Sequence, residues 1–211
     1  MKKSKRSDVD PFIVMDVMEA ARIAEENGKH IIHMEVGQPG TPAPKIARDF
    51  ITNEINKNNL GYTVSLGLPD LRKKISNLYG EWYNIEVNPK RVVVTTGSSG
   101  AFILSFSALF DSGDRVGIGS PSYPSYRQIL KSLSLETVDI QTKLENRFQP
   151  IPEDIKSNNL NGILVASPAN PTGSMLDKNS LENLINTAKE NNVSFISDEI
   201  YHGIQYEDNP T

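Results

Sequence analysis

The sequence has 211 residues, of which 37% are hydrophobic, enough to build the core of one large domain. Its 22 basic and 26 acidic residues give a formal net charge of -4, which argues against a nucleic-acid or acidic-membrane binder that relies on clustered positive charge. The absence of cysteine excludes disulfides and thiolate metal sites and is compatible with the cytoplasmic location that we expect.

The first 40 residues predict an N-terminal helical arm. The basic residues after Met1 are followed by acidic ones and not by an apolar stretch, so they predict a solvated tail and no signal peptide. Apolar residues from Phe12 to Ala24 recur at helical spacing, and Gly28 then provides a stop. Nowhere do about 18 apolar residues run together, as a membrane-spanning helix would need.

Two helices are predicted next, after Pro44 and after Asp70, and from residue 92 onward strand-like apolar runs alternate with helix candidates. The strand candidates are Val92 to Thr96, Val116 to Gly119, Leu135 to Ile140, Gly162 to Ala166 and Val193 to Ser197, and the helix candidates are Ala101 to Phe110, Pro124 to Leu133 and Ser180 to Lys189. This alternation predicts an α/β fold with three α-β-α layers and a mostly parallel sheet. Ligands of such sheets bind at the carboxyl ends of the strands.

A glycine- and serine-rich turn, Gly97-Ser98-Ser99-Gly100, separates a predicted strand from a predicted helix. The N–H groups and the positive dipole end of that helix, together with the hydroxyls of Ser98 and Ser99, suit a phosphate group. The alternative is that both serines only cap the helix. Neither a GxGxxG pattern nor a GxxxxGK[ST] P-loop is present, so dinucleotide and nucleoside-triphosphate sites lose their main support.

Three further segments follow predicted strands. Tyr123 offers an aromatic face to a flat ligand, although ordinary packing is the simpler explanation of a lone tyrosine. Asn170 lies between two prolines that fix a non-helical path, so the loop either holds its amide towards a ligand or is a structural turn. Asp198 ends the last predicted strand, with Tyr201 three residues on. A carboxylate in that place calls for a cationic partner, unless it is a surface residue that caps the turn.

The order and spacing of these segments resemble the class I/II aminotransferases of fold type I, which use pyridoxal phosphate (PLP). The similarity covers about residues 12 to 211. The matching segments are Gly37-Gln38-Pro39, Gly61-Tyr62-Thr63, Gly67 to Arg72, Gly97 to Ala101, Pro121-Ser122-Tyr123, Asn170 to Gly173 and Asp198 to Tyr201. The resemblance implies a PLP-transferase-like large domain over residues 41–211 after an arm over residues 1–40, without the C-terminal small domain.

The resemblance also assigns roles at the cofactor. It implies that Ser98 and Ser99 bind the phosphate, largely through backbone N–H groups, and that Tyr123 stacks on the pyridine ring. Asn170 and Tyr201 would hydrogen-bond the phenolic oxygen of that ring.

Asp198 would pair with the protonated ring nitrogen and strengthen the electron sink. Tyr62 would reach the phosphate in the neighbouring subunit of a homodimer, and Gly37 would lie at the substrate carboxylate. These roles are implied by the resemblance and not by spacing alone.

The resemblance places the Schiff-base lysine beyond Thr211, so we assign no catalytic residue within the sequence and expect the sequence as given not to turn over. The full-length protein would transfer an amino group between an amino acid and a 2-oxo acid. The alternatives are a PLP-dependent C-S/β-lyase of the same fold and a non-catalytic PLP-binding remnant or sensor. No metal is predicted, because His30, His33 and His202 form no ligand-spaced set.

Overall fold

The computed structural model describes residues 2–204 and forms two compact units. The sheet unit comprises Met1–Phe12 and Gly97–Thr211, and the helical unit comprises Ile13–Thr96. The division of the sequence into an arm and a large domain at residue 40 stays a prediction. The last residues of that predicted large domain, 205–211, lie outside the described part of the chain.

The helical unit contains three α-helices: α1 (Ile13–Glu26), α2 (Lys45–Ile55) and α3 (Pro69–Tyr83). They confirm the predicted arm helix and the two predicted helices that follow it. Arg72 on α3 ties that helix to the segment after it, because its guanidinium donates to the carbonyls of Val92 and Pro89, both at 2.8 Å. His33 contacts Glu35 and Glu25, and these contacts raise the pKa of its imidazole above the usual value.

The predicted strand from Val92 to Thr96 is wrong. No strand is assigned to these residues, and Val94 instead donates to the Leu66 carbonyl at 3.0 Å. Gly67 adopts a φ of +97° beside the Val94 side chain, so the polypeptide turns back here before α3. A run of valines indicates strand propensity, but a strand also needs a ladder of hydrogen bonds to a neighbouring strand, and a single bond is not a ladder.

The sheet unit is built on four parallel strands: β1 (Arg115–Ser120), β2 (Glu136–Gln141), β3 (Gly162–Ala166) and β4 (Ser194–Asp198). Their order is β2-β1-β3-β4. The other four predicted strands therefore form, with ends that shift by at most one residue. β1 and β3 occupy the centre and are the most buried, which explains the uninterrupted apolar sequence of β3 and the apolar middle of β1.

Four α-helices accompany these strands: α4 (Gly97–Leu109), α5 (Pro124–Ser132), α6 (Pro152–Ser157) and α7 (Lys178–Glu190). Short 3₁₀ turns occur at Lys5–Ser7, Pro89–Arg91 and Leu144–Asn146. The sequence does not predict α6, since six residues are too few for a helical period to emerge. Within residues 2–204, no helix has the length and apolar character needed to cross a membrane.

Helices cover both faces of the sheet. Leu164 of β3 belongs to a core with Phe106 of α4 and Leu130 of α5, whereas its neighbour Ile163 belongs to a second core with Leu184 of α7. Successive side chains of a strand point to opposite faces, so the two cores lie on opposite sides of the sheet. This confirms the predicted three-layer α-β-α arrangement.

Gly162, at the start of β3, provides a test of this packing. A Cβ atom there would lie 2.2 Å from the ring of Phe110, which is buried in the first core. We expect Gly162→Ala to lower the free energy of unfolding by roughly 1–3 kcal/mol, because a buried ring must shift. Gly119→Ala is the matched control, since its Cβ would meet Thr142 at an ordinary 3.5 Å. Urea denaturation measures both, and equal stability of the two variants would contradict the packing.

Candidate functional site

Three neighbouring strands end at the same edge of the sheet. Ile118 of β1 pairs with Leu164 of β3, and Ala166 of β3 pairs with Asp198 of β4. This register brings the carboxyl ends of β1, β3 and β4 side by side. Tyr123, Asn170 and Tyr201 follow these three strands, so their loops leave from this edge, where parallel α/β sheets bind their ligands.

Asp198 is the last residue of β4 and is 91% removed from solvent, with only 9% of its surface exposed. Its Oδ2 accepts a hydrogen bond from the Tyr126 hydroxyl at 2.5 Å, and its Oδ1 accepts one from the Ile200 N–H at 3.1 Å. Both donors are neutral, and each carboxylate oxygen has two lone pairs. Asp198 is therefore held in place while it keeps acceptor capacity for a cation.

Tyr126 is a site residue that the sequence reasoning missed. It lies on α5 and is almost fully buried, and its ring packs edge-on against Phe102 at 5.2 Å and against Tyr123 at 5.5 Å between centroids. Burial, above all, and then the hydrogen bond to Asp198 raise the pKa of this phenol, so the hydroxyl keeps its proton and donates. The available signal was the spacing: Tyr126 follows Tyr123 by three residues in a segment predicted to be helical.

Tyr123 is the N-cap residue of α5, and neighbouring side chains pack against its ring. The ring of Phe12 meets it edge-on, with 5.9 Å between centroids and 88° between planes. Gln128 holds the residues before Phe12, because its Nε2 donates to the carbonyls of Asp10 and Pro11 at 3.1 and 3.2 Å. The start of the chain therefore restricts the orientation of the Tyr123 ring, which the sequence did not predict.

Asn170 and Tyr201 meet, although they lie on different loops. The amide Nδ2 of Asn170 donates to the Tyr201 hydroxyl at 3.3 Å. The peptide bonds before Pro168 and Pro171 are cis, and Gly173 adopts a φ of +65° that favours glycine. The predicted non-helical path of this loop is thus present, and it brings the Asn170 amide to the turn after β4.

Gln149 is buried and was also missed by the sequence reasoning. It supports the loop that contains Asn170. Its Nε2 donates to the carbonyls of Ala166 and Ser174, both at 3.1 Å. These bonds hold the two ends of the loop that contains Asn170. No sequence pattern distinguishes such a glutamine from a surface one.

Ser98 and Ser99 lie in the first turn of α4 and are exposed. Gly97 begins the helix with a φ of +75°, a conformation that favours glycine. The first turn of a helix presents N–H groups that have no partner within the helix. Phe102, one turn further along α4, contacts the Tyr126 ring. The start of α4 therefore lies near the hydrogen-bonded pair of Tyr126 and Asp198.

Tyr62 and Gly37 belong to the helical unit. The Tyr62 side chain is fully exposed, and a Cβ added at Gly37 would meet no atom within 4 Å. The predicted roles of both residues stay predictions. Among residues 2–204, no group of three or more His, Cys, Asp or Glu side chains is arranged to hold a metal ion.

Comparisons with known proteins agree on one family. The sequence profile described as aminotransferase class I and II matches residues 29–211. A valine–pyruvate aminotransferase of Mycobacterium tuberculosis is 42% identical over 207 residues, which cover 97% of this chain and 53% of that protein.

Solved structures lead to the same family. A crystal structure of an aminotransferase from Mycobacterium tuberculosis superimposes with a TM-score of 0.94 at 41% identity, over 100% of this chain and 55% of that one. A crystal structure from Silicibacter pomeroyi superimposes with a TM-score of 0.89 at 58% identity, over 100% and 54%. The chain spans about half the length of the relatives it matches.

The buried pair of Tyr126 and Asp198 predicts coupled effects on stability. We expect Asp198→Ala to lower the free energy of unfolding by roughly 1–3 kcal/mol, because the buried Tyr126 hydroxyl loses its acceptor. Adding Tyr126→Phe should recover part of this loss, with a coupling of about 0.5–3 kcal/mol in a double-mutant cycle measured by urea denaturation. Additive effects of the two substitutions would show that the bond does not contribute to stability.

Proposed function

The chain belongs to the class I and II aminotransferase family, and on that premise we propose that the whole protein transfers an amino group between an amino acid and a 2-oxo acid with pyridoxal 5'-phosphate as cofactor. The observation that carries the proposal is Asp198: a buried carboxylate at the carboxyl end of a parallel strand, held by two neutral donors. A buried anion in that arrangement is stabilised by a cationic ligand group. The protonated ring nitrogen of the cofactor is such a group.

The residues of the sheet unit fit the other parts of this cofactor. The phosphate needs N–H donors at a helix start, and the first turn of α4 with Ser98 and Ser99 supplies them. The pyridine ring needs an aromatic face, which Tyr123 offers at the start of α5. The phenolic oxygen needs hydrogen-bond donors, and the Asn170 amide and the Tyr201 hydroxyl, 3.3 Å apart, are two such donors.

Bound there, the cofactor supplies an electron sink for negative charge at the substrate Cα. The residues of the chain then have distinct tasks. Asp198 keeps the proton on the ring nitrogen, because an anion beside that nitrogen favours its protonated form. Asn170 and Tyr201 orient the ring in its plane, and Tyr123, whose own ring packs against Phe12 and Tyr126, covers one face of it.

The helical unit contributes to the same proposal. We infer that the whole protein acts as a homodimer in which Tyr62, whose ring is fully exposed in this chain, reaches the phosphate in the neighbouring subunit. Gly37 would lie at the substrate carboxylate, where an open main chain allows close approach. A cytoplasmic location remains part of the proposal.

The activity of an Asp198→Asn variant tests the function. Asparagine can accept the Ile200 N–H with its amide oxygen and donate its amide N–H to the Tyr126 hydroxyl oxygen, so both contacts can be kept, but it provides no anion for the ring nitrogen. We expect kcat of the whole protein to fall by about 100-fold or more. Valine with pyruvate is the first substrate pair to assay, because a 42% identical relative has that name.

Glu199→Gln is the matched control and should retain activity. Glu199 is the neighbouring carboxylate, exposed to solvent and bonded to the Ser197 hydroxyl at 2.9 Å. A wild-type protein that exchanges no amino group between any tested amino acid and 2-oxo acid would refute the proposed function. Full activity of Asp198→Asn would refute the role of the carboxylate.

A further inference from the structure

We propose that Tyr126 is a positioning residue of this site, which fixes the Asp198 carboxylate through its hydroxyl and the Tyr123 ring through its own ring. The inference rests on the proposed function, since it concerns how two cofactor-binding groups are placed relative to each other. Tyr126 itself is not expected to touch cofactor or substrate.

The hydroxyl of Tyr126 and the N–H of Ile200 hold the two oxygens of Asp198 separately. Tyr126 donates to Oδ2 at 2.5 Å, and Ile200 donates to Oδ1 at 3.1 Å. One donor comes from α5 and the other from the turn after β4, so the carboxylate cannot rotate without breaking a bond to one of them. Hydrogen bonds to a charged group are stronger than those between neutral groups, so these two bonds favour one orientation.

The ring of Tyr126 has its own position fixed by packing. It is 2% exposed and lies edge-on to Phe102 of α4 on one side and to Tyr123 on the other, at 5.2 and 5.5 Å. Such edge-to-face pairs have preferred geometries. The packing of the core therefore sets the direction of the hydroxyl. Tyr126 in this way fixes the positions of Tyr123 and Asp198 relative to α4.

The hydroxyl also stays a donor. Burial raises the pKa of this phenol well above its usual value, and the neighbouring carboxylate raises it further. Tyr126 therefore keeps its proton at neutral pH, and its hydroxyl can donate to Asp198.

Tyr126→Phe tests the inference, because it removes the hydroxyl and keeps the ring. The first measurement is hydrogen exchange of the Ile200 amide in the whole protein without cofactor. We expect exchange to become about tenfold faster, because a carboxylate that is free to rotate holds this amide less well. Amides of β1 and β3 should be unchanged, and Tyr79→Phe, which removes the hydroxyl of a partly exposed tyrosine on α3, should resemble wild type.

Unchanged exchange at Ile200 would overturn the inference. Equal acceleration at Ile200, in β1 and in β3 would overturn it too, because it would reveal a merely structural role. Both results are obtained without cofactor and do not depend on the proposed function.

The second measurement uses the loaded protein. We expect Tyr126→Phe to raise the Kd for pyridoxal 5'-phosphate by about tenfold, the effect of losing one charge-assisted bond. It should lower kcat per bound cofactor while KM for the amino acid stays unchanged, because Asp198 acts on the cofactor and not on the amino acid. Wild-type values of both Kd and kcat would overturn the inference, whereas a wild-type protein that binds no pyridoxal 5'-phosphate would instead refute the proposed function.

Discussion

The hydrogen bond from the Tyr126 hydroxyl to Asp198 Oδ2 connects the parts of the site that come from different elements. Asp198 is brought to the sheet edge by the parallel pairing of β3 and β4, and Tyr126 is brought there by α5. A buried carboxylate is costly unless its oxygens are satisfied, and this bond together with the Ile200 N–H satisfies them with neutral donors. The negative charge of Asp198 therefore remains available to a cationic ligand group at the carboxyl edge of the sheet.

Much of the sheet unit follows from short-range patterns. The apolar run from Gly162 to Ala166 predicts β3 to the residue, because a central strand of a parallel sheet is buried on both faces and reads as a continuous apolar segment. Asn170 and Tyr201 are predicted at one edge for a related reason: each follows a strand, and parallel strands end on the same side. Their contact at 3.3 Å is consistent with that expectation.

Other features depend on contacts that the sequence does not reveal. Tyr126 bonds a residue 72 positions away, and its spacing of three residues from Tyr123 does not reveal that distant partner. The same applies to Gln149, whose bonds reach the two ends of the Asn170 loop. The segment from Val92 to Thr96 shows the reverse error, because its valines predict a strand where none is assigned.

The protonation of the cofactor ring nitrogen tests the central claim most directly. The ¹⁵N chemical shift of that nitrogen can be measured in pyridoxal 5'-phosphate bound to the whole protein and to its Asp198→Asn variant. We expect a protonated nitrogen in the wild-type protein at neutral pH and an unprotonated one in the variant, because an anion beside the nitrogen favours its charged form. An unprotonated nitrogen in the wild-type protein, or the same shift in both proteins, would contradict the assignment of Asp198 as its partner.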